Sequence, residues 1–208
     1  MDDRIDGHVR GPGATDLATA RALEKIGDAR AVLLVEGITD QIALETTAAL
    51  RGRDLEADRV VIMPIGGAHA IDRVLTALGG RTRLAGLCDL REEELFRRGV
   101  TAHIGPAHTR AELEDLGFHV CVDDLEDELI RAVGVEEVEE VFAVQGDLRL
   151  FHLFQSQPAW RGRPHEAQIY RFLRSSSRRN LRYIRLLVEA AAARGTLPRP
   201  LDALITAV

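Results

Sequence analysis

The stretch Ala31-Val32-Leu33-Leu34-Val35-Glu36-Gly37-Ile38-Thr39-Asp40 constrains the fold more than any other part of the chain. Five consecutive apolar residues, rich in β-branching, are what a strand buried on both faces requires, and such strands are central and parallel. Gly37 permits a sharp turn, Thr39 or Asp40 can cap the helix that follows over Gln41–Leu50, and Glu36 falls at the carboxyl end of the strand. Open α/β sheets bind their ligands at that edge. The structural alternative for Glu36 is a solvated acid beside a helix N-terminus, where the dipole stabilises it by a few tenths of a kcal/mol.

The same grammar repeats downstream. Arg59–Ile65 reads as a second strand, Gly66-Gly67 as the turn into a helix over Ala70–Leu78, and Arg83–Cys88 as a third strand ending at Asp89. If the first and third strands are neighbours, Glu36 and Asp89 lie about 5 Å apart and repel unless a proton or cation joins them. Mg²⁺ suits such a pair, being hard and content with one or two carboxylates plus water and phosphate. Gly66-Gly67 either forms a tight turn or lets amides approach a phosphate; with no Gly-Lys-Ser/Thr it is not a P-loop. A fourth strand, Phe118–Val122, ends at Asp123-Asp124, and a helix over Leu125–Val133 opens with capping-box spacing at Asp124 and Asp127. His103 and His108, in a loop without a third ligand at zinc spacing, read as solvent-exposed.

Four elements in this order resemble the Toprim domain: Val35-Glu36-Gly37-x-Thr39-Asp40, Pro64-Ile65-Gly66-Gly67, Asp89-Leu90-Arg91, and Asp123-Asp124-Leu125-Glu126-Asp127. The Asp four residues after the Glu and the late acidic cluster resemble the OLD (overcoming lysogenization defect) nucleases. The resemblance implies a Rossmann-like α/β fold: a mostly parallel four-stranded sheet flanked by helices, with a helical C-terminal extension. It also implies Mg²⁺ or Mn²⁺ held by Glu36, Asp40, Asp89, Asp124 and Glu126, with Glu36 binding metal or moving protons. Asp127 and Glu128 read as solvated. The family's Asp-x-Asp is Asp89-Leu90-Arg91 here, so Glu92 or Glu93 replaces the second acid, or the site holds one ion, or catalysis is lost.

The chain is expected to divide into a flexible leader (1–15), a Toprim domain (16–134) beginning with a helix over Asp16–Asp28, and a helical extension (135–208). Its 208 residues and 46% hydrophobic content accommodate one good domain with an appendage. A net charge of -6 argues against a surface coated in cationic charge, so nucleic acid would need a local patch. The extension offers one, with Arg161, Arg163, Arg171, Arg174, Arg178, Arg179, Arg182 and Arg185 interleaved with aromatics. Arg178 and Arg179 are the candidates to steady transition-state charge; arginine stands where relatives usually carry Lys and cannot donate a proton at neutral pH. Most of the aromatics read as core. Both cysteines read as reduced core residues of a cytoplasmic protein, and no apolar run can span a membrane.

The implied activity is metal-dependent hydrolysis of DNA phosphodiesters, as a nicking or cutting endonuclease. Two alternatives stand beside it: a non-catalytic Toprim module acting with a separate ATPase, and an RNA-processing nuclease. DNA, RNA, an ATPase subunit and a second copy of the chain are the partners these readings imply.

Overall fold

The computed structural model describes residues 4–5, 8–9, 13–79 and 82–208. Of the leader expected over residues 1–15, residues 1–3, 6–7 and 10–12 lie outside the described residues; β1 (Arg4–Ile5) and β2 (His8–Val9) pair antiparallel. α1 (Ala14–Lys25) then packs on the sheet edge, where the Thr19 hydroxyl donates to the Pro64 carbonyl at 2.6 Å.

The chain next alternates strand and helix: β3 (Ala31–Val35), α2 (Ile38–Leu50), β4 (Val60–Pro64), α3 (Ile71–Leu78), β5 (Arg83–Cys88), α4 (Glu93–His103), α5 (Arg110–Asp115), β6 (Phe118–Val120) and α6 (Leu125–Val133). The four strands β4-β3-β5-β6 form one parallel sheet in that order. The chain passes from β3 outward to β4, then crosses back to β5 on the far side of β3. The topological switch point therefore falls between β3 and β5, with Glu36 and Asp89 directly beyond the two strands.

Side chains leave β3 alternately to two faces, and both are covered. Ala31, Leu33 and Val35 join a core with α2, α6 and the C-terminal helices, while Val32 and Leu34 join a second core with α1, α3, α4 and α5. That is why the run is apolar at every position rather than at every second one.

The C-terminal part consists of α7 (Val135–Val144), α8 (Leu148–Gln155), α9 (His165–Leu173), α10 (Ser177–Ala193) and α11 (Arg199–Ala207). Leu181, Ile184, Leu187 and Val188 of α10 share a core with Ile42 and Leu44 of α2. Residues on both sides of Gly134 thus contribute to one apolar layer. Within it Phe142 meets Phe151, Phe172 and Tyr183 edge-on, with ring centroids 5.1, 5.2 and 5.0 Å away, a geometry the ring quadrupoles favour. Among the described residues no helix is long and apolar enough to cross a membrane.

Several expectations change. α4 runs on to His103, which pairs with Asp72 at 2.8 Å, so the expected loop from Thr101 begins with helix. β6 stops at Val120, two residues early, because the Val122 amide turns to the Glu128 carboxylate at 2.7 Å. Glu128 is accordingly buried and bridged to Arg131, not solvated.

Candidate metal centre

The centre is assembled at the carboxyl edge of β3 and β5. Glu36 leaves the end of β3, and its Oε1 accepts the main-chain N–H of Asp89 at 2.9 Å, so the two strand ends are stitched through this side chain. Asp40 lies one turn into α2, is only 8% exposed, and accepts the Gly37 N–H on Oδ2 at 2.9 Å, closing the helix start from within. Glu126, in the first turn of α6, is also buried, and its Oε1 accepts from Asn180 Nδ2 of α10 at 2.7 Å. Asp124 is the N-cap of α6: Oδ1 accepts the Asp127 N–H at 2.9 Å, and Oδ2 takes Arg174 Nη1 at 2.9 Å together with the Tyr170 hydroxyl.

These acids feel one another. Burial pushes the Asp89 carboxyl up to about 7, reinforced by the charges of Glu36, Asp124 and Glu126 and opposed by Arg174. Asp40 is pushed well above the usual range by burial and, after the opposing Gly37 N–H bond, by Asp89, Glu126 and Glu36. Burial also raises Glu36, against the stabilising Asp89 N–H, and Glu92 adds to the rise. The five acids expected from the sequence therefore form one electrostatic cluster.

Of the two acids that could replace the missing second Asp, Glu92 is the one whose charge reaches Glu36, whereas Glu93 is tied to Arg110. Gly66 and Gly67 have φ of 77° and 99°, and both amides donate to the Glu36 carbonyl, at 3.2 and 3.1 Å. Of the two readings open for this pair, the tight turn fits: both amides are engaged by the Glu36 carbonyl.

Arg178 and Arg179 sit at the start of α10, which Ser176 caps. The Arg179 guanidinium lies 4.1 Å over the Phe172 ring and donates to the Phe172 carbonyl at 3.3 Å and to Ser175 Oγ, while Arg182 pairs with Asp147. Arg178 is exposed. The cation whose charge reaches Asp89 is Arg174, and with it come Tyr170 and Asn180, which the sequence reading did not single out as site residues. Their signal lies only in tertiary contact, since Tyr170 is 46 and Asn180 is 54 residues from the acid each touches.

The donor chemistry fits a hard divalent cation. Every available group is a carboxylate oxygen, and Glu36, Asp40 and Glu126 each have one oxygen fixed by a donor and one without a hydrogen bond among the described residues. Second-sphere donors of this kind orient ligands. No three His, Cys, Asp or Glu side chains among the described residues form a ready-made metal cage; Mg²⁺, which usually keeps several waters and takes few carboxylates, does not require one.

A parallel four-stranded α/β sheet with acids at its switch point is the doubly wound arrangement in which ligands bind beyond the strand ends. Residues 29–83 match the family model described as the overcoming lysogenization defect protein-like TOPRIM domain. Over residues 29–83 the chain is therefore similar to an OLD-like Toprim domain. Its fold is similar to the C-terminal region of the Xanthomonas campestris pv. campestris OLD protein, at 17% identity and TM-score 0.62, over 86% of this chain and 94% of that one. It is likewise similar to the C-terminal region of the Burkholderia pseudomallei OLD protein, at 14% identity and TM-score 0.63, over 86% and 96%. No curated protein matches the sequence. An OLD-like Toprim domain is consistent with a nuclease-type or other nucleic-acid-related function.

Proposed function

We propose that the chain hydrolyses DNA phosphodiesters with Mg²⁺ or Mn²⁺. The observation that carries this reading is the convergence of Glu36, Asp40, Asp89 and Glu126 at the switch point, mutually repelling, with Arg174 as the cation facing them. A bound divalent ion supplies charge neutralisation and polarisation of the phosphoryl oxygens.

Asp89, Glu126, Glu36 and Asp40 would hold that ion, the last two through the oxygens not engaged by main-chain donors. As the alternative to ligating the ion, Glu36 would take a proton from an attacking water, and its raised pKa moves it towards the operating range of a general base. Arg174 steadies the charge that develops on the phosphoryl group, because the Nη1 fixed by Asp124 and Tyr170 leaves its remaining N–H groups available among the described residues. Arg161, Arg163, Arg171 and Arg178, all exposed in the C-terminal part, would neutralise flanking phosphates.

The second reading is a non-catalytic module that binds nucleic acid with a separate ATPase. Arg91 at the place of the family's second Asp favours it. The deciding experiment is nicking of supercoiled plasmid with Mg²⁺ and Mn²⁺ by wild type and Glu36→Gln, with structured RNA run in parallel. Cleavage that disappears in the variant supports catalysis at this centre. A folded wild type inactive with both ions on both substrates would favour the module.

A further inference from the structure

The two late acids are held in opposite ways. Glu126 keeps one oxygen without a hydrogen bond among the described residues, whereas both oxygens of Asp124 are engaged. The Asp124 bonds form a closed ring: the Tyr170 hydroxyl and Arg174 Nη1 both donate to Oδ2, and Arg174 Nη1 also donates to the Tyr170 oxygen. Arg174 additionally lies over the Tyr170 ring, 5.1 Å from its centroid. Burial and the Asp124 bond push the Tyr170 phenol upward, so it stays a donor. The ring fastens the C-terminal end of α9 to the N-terminus of α6, one turn of which carries Glu126, and Asn180 of α10 grips Glu126 directly.

We propose that Tyr170 and Arg174 are positioning residues of the metal centre, acting through Asp124, which anchors α6 instead of ligating the ion. The inference rests on the metal-dependent reading above and deepens it: the C-terminal helices complete the site by aiming Glu126. A ligand role for Asp124 falls either on the remaining lone pair of Oδ1 or on an Oδ2 released from Tyr170 and Arg174. An anchoring role requires both to stay where they are.

The two roles predict opposite signs for one substitution. Mn²⁺ binding to the full chain is measured by the loss of the free-ion electron paramagnetic resonance signal, alongside melting temperature. If Asp124 is an anchor, Tyr170→Phe weakens Mn²⁺ binding about tenfold, in the range for removing an outer-sphere partner. Arg174→Lys, which keeps the charge but loses the planar fork, weakens it in the same direction. The double variant Tyr170→Phe/Asp124→Asn then binds no more weakly than Asp124→Asn, whose Asn still caps the helix. If Asp124 is a ligand, Tyr170→Phe frees Oδ2 and binding tightens or stays unchanged, and Asp124→Asn loses Mn²⁺ as completely as Asp89→Asn. Either result overturns the proposal while leaving the metal reading intact. A wild type that binds no Mn²⁺ removes the metal reading and this inference with it.

Discussion

The main-chain N–H of Asp89 donates to Oε1 of Glu36 across 53 residues of sequence. One acid thereby fixes the backbone that carries the other, and the two negative side chains are kept together at the switch point. Such an arrangement stores repulsion that a cation relieves, and functional centres commonly hold strain of this kind at the expense of stability.

Replacing Asp89 should therefore stabilise the metal-free protein. Its folded pKa, about 7, lies above the ordinary carboxylate value, so its favourable contribution is present below about pH 4 and lost as pH rises through 7. After discounting for its partial exposure, we expect the loss to be on the order of 1 kcal/mol, or about 2–4 °C in melting temperature. Asp89→Asn should flatten the fall between about pH 4 and 7 in chelator. A variant melting below wild type at pH 8 contradicts this account.

His119 should impose the opposite pH dependence. It is 7% exposed in β6, its Nδ1 has no hydrogen-bond partner among the described residues, and burial lowers its pKa. The neutral ring fits and the charged ring does not, so its contribution is complete above the unfolded value near 6.5 and is lost as pH falls below it. Thermal melts at pH 7.5 and 5 should converge in His119→Leu relative to wild type.

Gly86→Ala should destabilise the sheet at its centre. A Cβ there would lie 2.7 Å from the Leu34 carbonyl oxygen and 3.0 Å from the Phe118 ring. The first obstacle is backbone of the neighbouring strand, so relief requires β3 and β5 to part; we expect a cost of about 1–3 kcal/mol. Urea denaturation of the variant measures it, and an unchanged midpoint refutes it.

Phe142→Ala should loosen the C-terminal layer. Its ring is fully buried among Phe151, Phe172 and Tyr183, and truncation at such a site costs about 3–5 kcal/mol. Because α9 and α10 bring Tyr170, Arg174 and Asn180 to the acids, Mn²⁺ affinity should fall in this variant under conditions where α2 and the sheet remain protected in hydrogen exchange. Unaltered affinity would separate the aromatic core from the centre.

What could be read from the chain alone was local and periodic. Ala31–Val35 declared a doubly covered strand by lacking any polar position, and Glu36 and Asp89 marked a candidate site by standing where each apolar run stops. The capping spacing of Asp124 and Asp127 likewise appears as an actual N-cap bond. The tertiary structure decided which of the arginines reaches the acids. Arg174, Arg178, Arg179 and Arg182 look alike in sequence, but only the packing of α9 against α6 directs Arg174 to Asp124, while the Phe172 ring and Asp147 draw Arg179 and Arg182 away. Hydrophobic periodicity depends on neighbours three or four residues apart and is therefore written in the sequence. The partners of a buried carboxylate come from helices some 50 residues away, and only the folded chain brings them into reach.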